Sequence, residues 1–140
     1  MDEEYFLFDH RIDEKGLSIV SLQLYLKHFS ESLNKTKINI LITSPGGSLG
    51  AVMARLQDVQ DIIEKNKIDV KIINIGKVES AAVTLFTGVS SNRFYLKETS
   101  FLIHSTFSTK NSDPKVIDTL NDYQCKIISD STNMDFSDLQ

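Results

Sequence analysis

Twice along this chain a short run of Ile and Val halts at a turn and gives way to a helical pattern, and that alternation restricts the available folds more than any other feature. In the first unit, Lys37 to Thr43 reads Lys-Ile-Asn-Ile-Leu-Ile-Thr, a short Ile-rich strand that stops at the breaker run Ser44-Pro45-Gly46-Gly47. Val52, Leu56, Val59 and Ile63 then recur on one helical face, and Asn66 stands near the expected helix end. In the second unit, Val70 to Ile75 reads as a strand, Gly76 to Glu79 as a turn and Ser80 to Thr87 as a short helix rich in small residues. Strands that alternate with helices pair in parallel through right-handed crossovers. The expected class is therefore α/β, a mostly parallel sheet covered by helices.

The flanking segments fit that frame. Tyr5 to Phe8 is a short apolar run, and Ile19, Leu22, Leu26, Phe29 and Leu33 line one face of a helix over Leu17 to Leu33. Arg93 to Leu96 and Phe101 to His104 are two further short strands. Asp113 before Pro114 is an N-cap followed by proline at the first helical position, opening a helix to about Ser129. The acidic segment Asn133 to Gln140 reads as the start of another helix.

At 140 residues the whole chain, 1–140, is expected to be one domain. Its formal charge of -4 is uneven. Residues 1–14 carry six acids against Arg11 alone, and residues 129–140 carry Asp130, Asp135 and Asp138 without a base. The middle has a modest basic surplus that is dispersed, so no nucleic-acid partner is expected. No apolar run approaches the roughly 20 residues that span a bilayer, so no membrane partner is expected either. Met1 is followed by acids rather than by a leader signature, and the lone Cys125 has no partner for an internal disulfide. A cytoplasmic, reducing compartment follows as the expectation.

Three features at strand ends carry potential chemistry, where open parallel sheets build their sites. The Ser44-Pro-Gly-Gly-Ser48 turn can aim backbone N–H groups at a reacting carbonyl, or be an ordinary strand-to-helix connection. It is not a phosphate loop, because no Lys follows at the required spacing. Ser80 opens a helix, where its hydroxyl is either a nucleophile beside free N–H groups or simply an N-cap. Val78 and Ala82 occupy the glycine positions of the G-x-S-x-G elbow, which disfavours an α/β-hydrolase. His104 closes an apolar strand and is either a general base towards Ser80 or a structural histidine. His10 and His28 stand in no comparable context. Three His and one Cys, far apart, give no metal-ligand spacing, and neither a metal nor another cofactor is expected.

Taken together, Ile40-Leu-Ile-Thr-Ser-Pro-Gly-Gly-Ser48, Gly76-Lys-Val-Glu-Ser-Ala-Ala82 and Phe101-Leu-Ile-His-Ser105 resemble, in order and spacing, the proteolytic subunit of the Clp protease family. The resemblance runs from about Tyr5 to Gln140. Phage prohead proteases share the skeleton, and Gly76 to Val83 is similar to their serine segment. The resemblance implies the Clp/crotonase superfold of repeated ββα units. It makes Ser80 the nucleophile, His104 the general base, and Gly47 and Ala81 the oxyanion-hole donors. The implied activity is a serine-type endopeptidase acting on peptides or unfolded protein, assembled as homo-oligomeric rings.

Against that family, this sequence is expected to stop short of the segment that carries the triad aspartate. Asp130, Asp135 and Asp138 are the carboxylates near the terminus, and none is assigned the role. A shorter loop after His104 weighs against ring stacking, and a start close to the first strand weighs against docking an ATP-dependent unfoldase. Glu79, directly before the serine, replaces the usual small residue. Two other functions share the architecture. One is a catalytically degenerate assembly or interaction subunit, the other a crotonase-type acyl-CoA enzyme that needs no Ser and His pair.

Overall fold

The Ile-rich run after Thr36 forms a strand because its β-branched side chains suit a sheet buried on one face. In the computed structural model, which describes residues 4–104 and 113–131, the chain runs β1 (Glu4–Phe8), α1 (Leu17–Glu31), β2 (Lys37–Ser44), α2 (Leu49–Lys65), β3 (Asp69–Glu79), α3 (Ala81–Val89), β4 (Arg93–Tyr95), β5 (Ser100–Leu102) and α4 (Pro114–Ser131). The strands lie in the order β1-β2-β3-β4, with β5 also beside β3, and every pairing is parallel. The expected α/β class is what forms.

Alternation along the strands divides the sheet into two faces. Phe8, Ile38, Ile40, Ile42, Val70 and Ile72 are buried against Ile19, Leu22, Leu26 and Phe29 of α1 and Val52, Leu56 and Val59 of α2. None of the described helices is buried against the opposite face. In register, Leu7, Leu41, Ile73 and Phe94 form one apolar row across β1 to β4, with Leu7 and Phe94 exposed. The described helices therefore cover one side of the sheet rather than both.

Several expected boundaries move. Leu33 lies beyond α1 and is exposed, since the helix closes at Ser32. Residues 76–79 form no turn; they continue β3. The strand kinks there instead: Ile42 pairs with Asn74, but the next pair is Ser44 with Val78, so β3 holds more residues than β2 over the same span. Leu96 falls outside β4, and β5 ends at Leu102, so His104 lies past its strand rather than in it. Asp113 caps α4 as expected, its Oδ1 accepting from the Lys115 N–H at 2.8 Å. The segment Asn133 to Gln140 lies outside the described residues. No helix among those described is long and apolar enough to cross a membrane.

Candidate active site

The turn after β2 is shaped by contacts on both its sides. Ser44, buried at the strand end, donates its hydroxyl to the His10 C=O at 2.7 Å and accepts the Gly46 N–H at 3.1 Å. Ile12 then pairs with Gly47 as an isolated parallel bridge: the Ile12 N–H donates to the Gly46 C=O, and the Ser48 N–H to the Ile12 C=O, both at 2.8 Å. In such a bridge the central residue's own groups face the other edge. The Gly47 N–H therefore points away from Ile12.

Both glycines have positive φ, 88° and 137°, but space constrains them too. A Cβ on Gly47 would sit 2.1 Å from the Ile12 oxygen. A Cβ on Gly46 would lie 2.4 Å from the Glu79 oxygen, 2.8 Å from the Ser80 Cβ and 3.1 Å from the Ala81 nitrogen. Gly46 is thus where the first strand–turn–helix unit is pressed against the second.

Ser80 joins β3 to α3 with φ 58° and ψ -126°, a conformation that L-residues rarely adopt and that costs about 1–3 kcal/mol. Its hydroxyl makes no capping bond to α3, so the N-cap explanation of this serine fails. The backbone still starts the helix, with the Val83 N–H donating to the Ser80 C=O at 3.0 Å. Ala81 is the first helical residue, so its N–H has no acceptor within the helix. No acidic residue occupies the first turn, which leaves the positive end of the helix dipole directed at Ser80 and whatever it holds. α3 can be apolar almost all round because it is enclosed, Ala81 to Thr87 being buried.

His104 follows the strand that lies beside the end of β3. Lys77, Val78 and Glu79 pair with Ser100, Phe101 and Leu102, and the Ser80 N–H donates to the Leu102 C=O at 2.7 Å. His104, half-buried, stands two residues beyond that carbonyl. Of the four expected site residues, Ser80 and Ala81 lie at the end of β3, Gly47 stands in the turn after β2 beside the Gly46 that approaches them, and His104 follows the adjoining end of β5. Asp130 is exposed near the end of α4, while Asp135 and Asp138 lie outside the described residues. His10 and His28 are exposed and stand apart. Among the described residues no cluster of His, Cys, Asp or Glu could hold a metal.

Two contributors escape a motif search. Gly46, rather than Gly47, makes the close approach to Ser80, and the doubled glycine alone does not distinguish them. Asn74, fully buried in β3, bonds on both sides of the strand's kink. Its signal is an amide within the Ile-Ile-Asn-Ile run, since a buried polar side chain must find partners. Chemically, the arrangement offers a hydroxyl on a strained turn, an imidazole one strand away, and backbone N–H groups for a developing oxyanion.

Residues 2–136 match the family model for Clp protease. The chain is 34% identical over 111 residues to the ATP-dependent Clp protease proteolytic subunit of Cyanophora paradoxa, an alignment covering 77% of this chain and 53% of that protein. To the ATP-dependent Clp protease proteolytic subunit 4, chloroplastic, of Arabidopsis thaliana it is 37% identical over 71 residues, covering 50% and 23% respectively. The chain spans about half, or less, of the length of these curated relatives. Among solved structures, a ClpP1 mutant from Listeria monocytogenes superposes with a TM-score of 0.78 at 25% identity, covering 97% of this chain and 76% of that one. The ClpP protease catalytic domain from Plasmodium falciparum gives 0.76 at 25% identity, covering 97% and 70%.

Proposed function

The chain belongs to the Clp protease family, and from that premise we propose that it is a serine-type endopeptidase cleaving peptides or unfolded protein through an acyl-enzyme on Ser80. The observation that carries the reading is the backbone at Ser80: a strained, non-capping serine at a helix start, beside a strand end that leads to His104. Strain of this kind persists only where the surroundings impose it, and here Gly46 and the Leu102 carbonyl do so.

In this mechanism the Ser80 Oγ attacks the scissile carbonyl while His104 takes its proton. The oxyanion of the tetrahedral intermediate accepts hydrogen bonds from the Gly47 and Ala81 N–H groups. Collapse expels the amine, which takes its proton back from His104. Water, deprotonated by the same imidazole, then releases the acyl group and restores the hydroxyl. No carboxylate is assigned to orient the imidazole.

Exposed apolar side chains on and after β4 and β5, among them Phe94, Tyr95, Leu96, Phe101 and Leu102, favour a homo-oligomeric ring over a monomer. An ATP-dependent unfoldase is a further partner class to test by co-sedimentation, and the sequence expectation weighs against it. For compartment, the cytoplasm is the sequence reading and the chloroplast is the one in the Arabidopsis relative's name; fractionation decides between them.

The experiment is treatment of the assembled protein with a fluorophosphonate probe, with Ser80→Ala as control. The expected result is a single adduct on Ser80, absent in the variant. An unreactive Ser80 in folded, assembled protein would replace this reading by that of a non-catalytic assembly subunit.

A further inference from the structure

The kink that brings β3 to Ser80 begins at Asn74. This residue is the last in β3 to pair regularly on both sides, with Ile42 of β2 and Tyr95 of β4. Immediately after it the β2 register shifts, β4 ends, and β5 takes the place of β4 at Lys77. Asn74 is fully buried, and its side-chain amide is engaged across the break. Its Oδ1 accepts the Gly76 N–H at 2.9 Å, its Nδ2 donates to the Ser100 C=O at 2.9 Å, and its backbone C=O accepts the Leu96 N–H at 3.0 Å.

The two side-chain bonds act on different parts of the site. The bond to Gly76 fixes the kink through which β3 arrives at Ser80, and Gly76 is further confined because a Cβ there would lie 2.8 Å from the Thr43 Oγ1. The bond to Ser100 holds the first residue of β5, the strand that leads four residues later to His104. A single amide thus touches the strand of one group and the strand of the other.

We propose that Asn74 is a positioning residue that sets the register between the strand bearing Ser80 and the strand bearing His104. It acts through those strands and touches no substrate. Its catalytic consequence rests on the peptidase reading, whereas its geometric role stands apart from it. The chemistry required is specific: one acceptor and one donor on a short stem. In an Asn74→Asp variant the ionised carboxylate keeps the acceptor and loses the donor, turning an oxygen towards the Ser100 carbonyl, whereas the protonated carboxyl restores both. Burial raises the pKa of such a carboxyl, so protonation is within reach of mildly acidic buffer.

The test uses Asn74→Ala and Asn74→Asp in the full chain, with two readouts. One is the fluorophosphonate labelling rate at Ser80 per folded molecule, and the other is the NMR resonances of the His104 ring. The expected result for Asn74→Ala is a loss of labelling of roughly 10- to 100-fold, the scale that small misplacements of reacting groups produce, with the His104 resonances displaced. For Asn74→Asp, the labelling rate relative to the native chain at the same pH rises as pH falls, and the His104 resonances move back towards their native positions. A folded Asn74→Ala protein with native labelling and native His104 resonances would overturn the proposal. So would an Asn74→Asp deficit that is the same at every pH, should the alanine variant not fold. If the native chain itself does not label, the peptidase reading fails, and the His104 resonances alone still decide the role of Asn74.

Discussion

Ser48 and Ser80 occupy the same place in two successive units, each following a parallel strand and preceding a helix, yet they do opposite things. Ser48 has an ordinary extended backbone, φ -77° and ψ 107°, and its Oγ accepts the Ala51 N–H at 3.1 Å. Ser80 has φ 58° and ψ -126°, and its hydroxyl caps nothing. The first serine stabilises its helix by about 1 kcal/mol. The second is held in a conformation that costs stability. What differs is the packing around each. The Ser48 turn is tied to Ile12, while Ser80 is caught between Gly46 and the Leu102 carbonyl. A cap that forgoes its capping bond leaves a hydroxyl available for other work.

The sharpest way to break this contrast is to remove the imidazole proposed to act on the second serine. Replacing His104 by Ala is expected to slow phosphonylation of Ser80 by about 10²- to 10⁴-fold without changing the melting temperature appreciably. Mass-spectrometric adduct kinetics measure the first, calorimetry the second. A smaller loss of function accompanies a larger loss of stability at the contact between the units. Gly46→Ala should cost about 2–4 kcal/mol, from positive φ together with the clash at the Glu79 oxygen, as read by denaturant titration.

The serines themselves come next. Ser48→Ala should destabilise by about 1 kcal/mol, whereas Ser80→Gly should stabilise by a similar amount, because glycine relieves the strain and no cap is lost. Equal and same-signed changes would erase the distinction between them. The smallest effect lies away from both. Burial, with a lesser contribution from Asp122, pushes the Cys125 thiol up, and burial does the same to the Tyr123 hydroxyl. The folded state therefore holds these protons more tightly than the unfolded chain. That contribution is fully present below the unfolded pKa values and is lost as pH rises through the folded ones. Stability should decline on the alkaline side, less steeply in a Cys125→Ala background once the loss of the side chain is subtracted.

The contrast between the serines also marks where sequence reasoning reaches and where it stops. The strand cores and helix faces follow from side-chain period, and Ile40, Ile72, Leu22 and Val52 are buried as their spacing requires. Ser80 and His104 are candidates by their places at element ends, and the structure sets them at adjoining strand ends. The continuation of β3 through Gly76 to Glu79 is not legible, because the kink depends on Asn74, Thr43 and Ser100 meeting across three strands. Nor is the conformation of Ser80, since a serine before Ala-Ala reads identically whether it caps or not. Contacts between strands decide both, and the local pattern carries only the buried Asn74 amide as a trace of them.

One measurement addresses the difference between the two serines most directly: the site occupancy of a fluorophosphonate on Ser48 and Ser80 of the same folded chain, read by peptide mapping over time. The predicted result is a saturating adduct on Ser80 and none on Ser48, with the Ser80 adduct no longer forming once the chain is unfolded. Equal reactivity of the two serines, or an unmodified Ser80 in protein that is folded and assembled, would contradict it.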